Sequence, residues 1–223
     1  MYRLCIFDLD GTLASTLESM AYSANLVLGE LGLKKQPADA FRYFAGDGAM
    51  ELSKRCLKAA GGDLESQLAL FYKRYREEFA RYCMYQVKPY PGIMKLLHSL
   101  KEHGIRVTVL SNKPHDQAVD VVESLFGKGM LDAVQGQTDA VPRKPSPIGA
   151  VRLMDRFHVS PEECLYIGDT ATDMETGRNA SIRTIGVLWG FRDREELRKS
   201  GASVLAEKPE EILEIALEEN ESL

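Results

Sequence analysis

Leu4-Cys5-Ile6-Phe7-Asp8-Leu9-Asp10-Gly11-Thr12-Leu13 is the stretch on which the reading of this chain turns. Four apolar residues in a row predict a strand buried on both faces, as in the middle of a parallel sheet. The run stops at Asp8, and Asp10 follows two positions on. Residues i and i+2 share a face, so both carboxylates project together where the strand ends. Gly11 lets the backbone turn sharply and leaves its N–H open to an anion. Open parallel sheets take ligands just beyond the carboxyl ends of their strands. Two carboxylates placed there repel unless a cation or a proton sits between them. Ordinary turn chemistry accounts for Asp10-Gly11. It does not account for Asp8.

Outward from this stretch the pattern changes twice. Leu17, Met20, Ala21, Ala24, Leu28 and Leu31 recur at helical spacing, with Gly32 as a stop. Leu52, Cys56 and Ala59 predict a second helix and Leu68 to Tyr82 a third, and no strand signal occurs from 15 to 85. Lys88-Pro89-Tyr90-Pro91-Gly92 reads as a linker. Beyond it strands and helices alternate. Strands are predicted at 105–110, 133–134, 164–169, 183–188 and 203–205, with helices at 93–100, 118–125 and 148–154 and a last helix from about Pro209. The acidic end, 218–223, is expected to fray. Alternation of this kind implies an α/β domain with a parallel sheet.

The chain has 223 residues, 44% hydrophobic and 27% charged, as in an ordinary globular protein. Lys and Arg number 28 against 33 Asp and Glu, a net charge of −5. That balance argues against nucleic acid as a general partner. It leaves room for an anionic substrate, because a metal and a few local cations reverse the sign inside a cleft. Cys5, Cys56, Cys83 and Cys164 form no Cys-x-x-Cys pair, so neither a disulfide framework nor a zinc site is expected. No signal-peptide pattern opens the chain, and no apolar run approaches the roughly 18 residues of a membrane span. The expectation is a cytoplasmic protein, monomer or homodimer, without a membrane partner.

Three later segments join Asp8 and Asp10. Ser111-Asn112-Lys113-Pro114 follows a strand directly, which suits an anion site at a helix start or plain N-capping by Ser111 or Asn112. Arg143-Lys144-Pro145-Ser146-Pro147 puts an ammonium at a turn stiffened by two prolines. Gly168-Asp169-Thr170-Ala171-Thr172-Asp173 ends a buried strand with two more carboxylates. Capping explains Thr170, Thr172 and Asp173 but not Asp169. A third carboxylate at the mouth of the sheet is what a hard, oxygen-preferring cation needs.

In this order, Asp-x-Asp-Gly-Thr, Ser-Asn-Lys, Lys-Pro-x-Pro and Gly-Asp-Thr-x-x-Asp resemble the motif set of the haloacid dehalogenase-like hydrolases, mostly magnesium-dependent phosphatases. The helical insertion resembles the type-1 cap of the phosphoglycolate phosphatase-like branch, and the resemblance covers nearly the whole chain. It implies a doubly wound, Rossmann-like parallel-sheet core, residues 1–14 and 88–223, carrying an all-helical cap, residues 15–87. It also implies that Asp8 is the nucleophile and Asp10 the general acid and base. Mg2+ would be held by Asp8, the main-chain carbonyl of Asp10, and Asp169. Ser111, Asn112, Lys144 and Thr12 would bind substrate, with Arg42, Gly46 and Gly48 contributing from the cap. Asp173 and Lys113 would support the site from behind. The implied substrate is a small phosphorylated metabolite, best matched by a phosphoglycolate-like acid. The alternatives are a phosphosugar mutase, a pyrophosphatase or a nucleotidase. Asp10 sets the chain apart from dehalogenase and phosphonatase branches, and Gly11-Thr12 differs from the Gly-Val or Gly-Ile frequent in mutases. The intact acidic set argues against a non-enzymatic scaffold.

Overall fold

Burial of Leu4–Phe7 is complete along its length, as an uninterrupted apolar run requires. This strand, β1, is the centre of the computed structural model, which describes residues 2–218. After it come β2 (Ala14–Ser15), α1 (Leu17–Glu30), α2 (Phe41–Phe44), α3 (Ala49–Ala59), α4 (Leu64–Tyr82) and β3 (Lys88–Pro89). Then follow α5 (Ile93–Glu102), β4 (Arg106–Pro114), α6 (His115–Phe126), β5 (Ala133–Gln137) and α7 (Ile148–Phe157). The chain closes with β6 (Cys164–Gly168), α8 (Ala171–Asn179), β7 (Arg183–Val187), α9 (Arg194–Lys199), β8 (Val204–Ala206) and α10 (Pro209–Leu217). Contacts divide it into two compact units, Met1–Ala14 with Pro89–Leu223, and Ser15–Lys88.

The first unit holds a six-stranded sheet in the order β5-β4-β1-β6-β7-β8, with every pair parallel. From β1 the chain moves outward through β4 and β5, returns to the other side of β1 at β6, and moves out again. Such a reversal leaves a crevice beyond the carboxyl end of β1. Phe7 stands opposite both Val109 and Ile167, so the residues after them begin at one level. Asp8 continues that level, its N–H donating to the Ile167 carbonyl at 2.8 Å. Below it Leu4, Ile6, Leu110 and Tyr166 pack with Leu153 and Met154 of α7 in one buried cluster. Each such apolar side chain contributes roughly 1.5–3 kcal/mol by burial. The floor of the crevice is therefore closely packed.

The second unit is built on α1, α3 and α4. Asp63 caps α4, accepting from the Ser66 N–H at 2.9 Å. Phe71, Tyr75 and Phe79 recur every four residues and are buried, which gives this helix its apolar stripe.

Several boundaries differ from the sequence reading. Lys88–Pro89, read as linker, pairs as a short strand with Ala14–Ser15. β4 runs on to Pro114, with a register irregularity after Leu110. Ser111 and Asn112 therefore do not cap α6, whose N-cap position is Pro114. α9 was not expected; Asp193 starts it, accepting from the Glu196 N–H at 2.9 Å. Ser160 and Glu163 form a capping box that opens a single 3-10 turn, Pro161–Glu163. The cysteines are free, and burial pushes the thiols of Cys56 and Cys164 up to about 12. Of the acidic end, Glu218 pairs with Arg183 at 3.1 Å, and residues 219–223 lie outside the described residues. No helix among the described residues is long and apolar enough to cross a membrane.

Candidate active site

The site is assembled from strand ends. Asp8 follows β1, Ser111 to Lys113 extend β4, and Asp169 follows β6. Lys144 arrives on the loop before α7 and places its Nζ 2.7 Å from Asp8 Oδ1 and 2.7 Å from Asp173 Oδ1. All three side chains are buried. The loop is held by Asn112, whose Oδ1 accepts from the Lys144 N–H at 2.7 Å and whose Nδ2 donates to the Lys144 carbonyl at 3.4 Å. Asn112, expected to assist at the phosphate with its backbone N–H, thus holds the Lys144 loop with its carboxamide. Ser111 is buried, and its Oγ accepts from the Lys113 N–H at 3.1 Å.

Asp173 has two duties. Its Oδ2 accepts from the Thr170 N–H at 3.0 Å and the Thr170 hydroxyl at 2.7 Å, closing a capping box at the start of α8. Its Oδ1 faces Lys144. The cap and the contact with Lys144 thus use different oxygens of one carboxylate. Asp169 accepts from the Thr12 hydroxyl at 2.9 Å on Oδ1 and from the Phe191 N–H at 2.7 Å on Oδ2. Thr12, also expected at the substrate, is fully buried and turned toward Asp169. Gly11 has φ +96°, and a Cβ there would lie 2.2 Å from Asp169 Oδ2. Only glycine admits that carboxylate so close to the turn. The Gly11 N–H is not left open to an anion: it donates to the Ala14 carbonyl at 2.9 Å.

Asp10 is set apart from this cluster. Its Oδ1 lies 3.3 Å from Lys113 Nζ, and its side chain is 16% exposed against 9% for Asp8. Two carboxylates two residues apart therefore sit in different surroundings. Arg42, Gly46 and Gly48 lie in the helical unit. Arg42 Nε pairs with Asp39 at 2.9 Å, Gly46 has φ +114° and Gly48 φ +89°.

Asp8, Asp169 and Asp173 each place a carboxylate oxygen within 4.8 Å of the others. Burial, then the Asp173 charge, lifts Asp8 well above the usual carboxylate range, and Lys144 only partly offsets them. The same two causes lift Asp169 to about 7, against the pull of the Phe191 N–H and the Thr12 hydroxyl. Burial alone would lower Lys144. Asp173 and Asp8 reverse that and hold it well above the ordinary lysine range. With Asp10 and Lys113 included, four carboxylates face two ammonium groups. With all four ionised the surplus is two negative charges among oxygen donors, which fits a hard divalent cation.

The sequence reading missed the loop after β7. Phe191 contributes its backbone N–H to Asp169, and the Trp189 indole N–H donates to the Thr12 carbonyl at 2.9 Å. A Cβ on Gly190 would lie 2.3 Å from Asp169 Cβ. The signal available was the chain's single tryptophan, followed by glycine at a strand end.

An all-parallel sheet reversing at β1, with an acidic cluster and a lysine beyond its carboxyl end, defines the class. Residues 5–187 match the haloacid dehalogenase-like hydrolase family, and the chain belongs to it. It is a hydrolase, as its motifs imply. Among particular relatives, it is 32% identical over 189 residues to the phosphoglycolate phosphatase of Aquifex aeolicus strain VF5, covering 85% of this chain and 86% of that one. Identity to the phosphoglycolate phosphatase of Rhodospirillum rubrum is 32% over 210 residues, 91% of this chain and 86% of that one. The crystal structure of a candidate phosphoglycolate phosphatase from Lactobacillus delbrueckii subsp. bulgaricus superposes with a TM-score of 0.89 at 29% identity, covering 98% of this chain and 99% of that one.

Proposed function

We propose that the protein is a Mg2+-dependent phosphatase acting on a small phosphorylated acid, with phosphoglycolate as the best candidate, through an aspartyl phosphate on Asp8. The observation that carries this reading is the separation of the two carboxylates. Asp8 is buried against Lys144 in the acidic cluster, whereas Asp10 is more exposed and faces Lys113. That difference supports the role of nucleophile for Asp8 and of proton donor and acceptor for Asp10.

In the first step an Asp8 oxygen bonds to phosphorus and the bond to the leaving oxygen breaks, Asp10 supplying that oxygen's proton. In the second, water attacks the same phosphorus, Asp10 takes its proton, and the phosphorus–Asp8 bond breaks to release phosphate. Lys144 orients Asp8 and offsets phosphoryl charge, with Ser111 at the adjacent strand end. Asp8, Asp169 and the Asp10 carbonyl would hold Mg2+, and Asp173 would fix Lys144. Bound there, Mg2+ supplies the charge that keeps buried Asp8 ionised and neutralises phosphoryl oxygens. By resemblance, residues 15–87 serve as the cap, and Arg42 pairs with the substrate carboxylate.

The test is a panel of phosphomonoesters assayed with purified protein and Mg2+, alongside Asp8→Asn. A small phosphorylated acid should give the highest kcat/KM, and borohydride reduction during turnover should mark Asp8 in the wild type alone. Turnover above a few per cent in clean Asp8→Asn protein would remove Asp8 from its role. A preference for sugar phosphates, nucleotides or pyrophosphate would remove the substrate assignment.

A further inference from the structure

We propose that Trp189 is a positioning residue for the carboxylate of Asp169, acting through Thr12 and the backbone of its own loop. This rests on the reading of Asp169 as a Mg2+ ligand. Both Asp169 oxygens are held by protein donors, and both donors lead to the same loop. Oδ2 accepts directly from the Phe191 N–H at 2.7 Å. Oδ1 accepts from the Thr12 hydroxyl at 2.9 Å, and the Thr12 carbonyl in turn accepts from the Trp189 indole at 2.9 Å. The indole therefore ties the loop after β7 to the turn after β1, and the carboxylate is gripped between them.

Packing makes the grip tight. A Cβ on Gly190 would lie 2.5 Å from Asp169 Oδ2, and one on Gly11 would lie 2.2 Å from the same atom. Two glycine backbones thus press on one carboxylate from separate segments. Neither can retreat while the indole bond holds the segments together. Groups that orient a metal-binding carboxylate from behind typically tune metal affinity by about 10–100-fold. Trp189 touches neither substrate nor reacting atoms in this scheme. Its effect is on where Asp169 points.

The experiment is calorimetric titration of Mg2+ into the metal-free, full-length protein, for the wild type, Trp189→Phe, Thr12→Val, the double variant and Asp169→Asn. Trp189→Phe keeps an aromatic ring and removes the N–H. It should weaken Mg2+ binding about tenfold, with a thermal midpoint in EDTA lowered by only about 2–4 °C for the one lost hydrogen bond and an unchanged KM at saturating Mg2+. Thr12→Val should weaken it similarly, and the double variant should lose less than the product of the two, because both act through one carboxylate. An affinity within threefold of wild type in folded Trp189→Phe would overturn the proposal while leaving Asp169 as ligand. Mg2+ binding that survives Asp169→Asn would overturn the ligand reading and the proposal together. Should Trp189→Phe not fold, wild-type fluorescence answers the question, since Trp189 is the only tryptophan. Mg2+ should change its emission with the calorimetric midpoint, and no change on binding overturns the proposal.

Discussion

Removing the metal while raising the pH should unlock the acidic cluster. In the metal-free fold Asp169 titrates at about 7 against 3.8 for an unperturbed carboxyl, raised by burial first and then by the Asp173 charge. Between those values the folded protein keeps a proton that the unfolded chain has released. Stability is then fully present below about pH 4 and is lost as pH rises through 7. The interval from 3.8 to about 7, at about 1.4 kcal/mol per decade, corresponds to about 4 kcal/mol. Asp8 is shifted in the same direction and adds to the loss. Against a total of about 5–15 kcal/mol this is large, and for a chain of this size it lowers Tm by roughly 8–16 °C. The surface carboxylates whose pKa is lowered, Glu30, Asp63, Glu162 and Glu163, act oppositely, but only at acid pH. The assay is urea unfolding in EDTA at pH 5, 6, 7 and 8, repeated with saturating Mg2+ and with Asp169→Asn. The midpoint in EDTA should fall steadily with pH, and both Mg2+ and the substitution should flatten the slope. A metal-free protein equally stable at pH 5 and pH 8, or more stable at pH 8, would refute the reasoning.

Asp10→Asn should slow esters with poor leaving groups about 10²–10⁴-fold and p-nitrophenyl phosphate much less; equal losses on both would contradict its role as the acid. Gly11→Ala should cost about 1–3 kcal/mol for a side chain at positive φ and should also weaken Mg2+ binding, because the added methyl displaces Asp169. Calorimetry and a thermal melt check both, and normal metal affinity would show that the turn relaxes without moving the carboxylate. Lys144→Met leaves Asp8 and Asp173 buried without their shared cation and should cost about 3–5 kcal/mol at pH 7. Part of that should return at pH 5, where protonation relieves the repulsion; a variant as stable as wild type at pH 7 would mean that the lysine offsets no buried charge.

What could be read from the residues and what could not divides along a physical line. β1 and β6 are legible because a strand buried on both faces admits little but apolar residues. Asp8, Asp169 and Asp173 stand out because ionised groups next to such runs are rare without partners. The end of β4 was misplaced because Ser111 and Asn112 suit a helix cap as well as an extended segment, and the deciding contact, Asn112 to the Lys144 backbone, spans 32 residues. α9 is short and its apolar face slight, so Asp193 was its main signal. Thr12 was noticed, but the direction of its hydroxyl depends on where Asp169 arrives, 157 residues later. The loop after β7 shows the limit most plainly. Its contribution to Asp169 is a backbone N–H, which every residue except proline carries, and the absence of a Cβ at Gly190. Charge leaves a mark in a sequence because burying it is costly. Main-chain donors leave almost none, so the parts of this site that hold the carboxylates in place had to be seen in three dimensions.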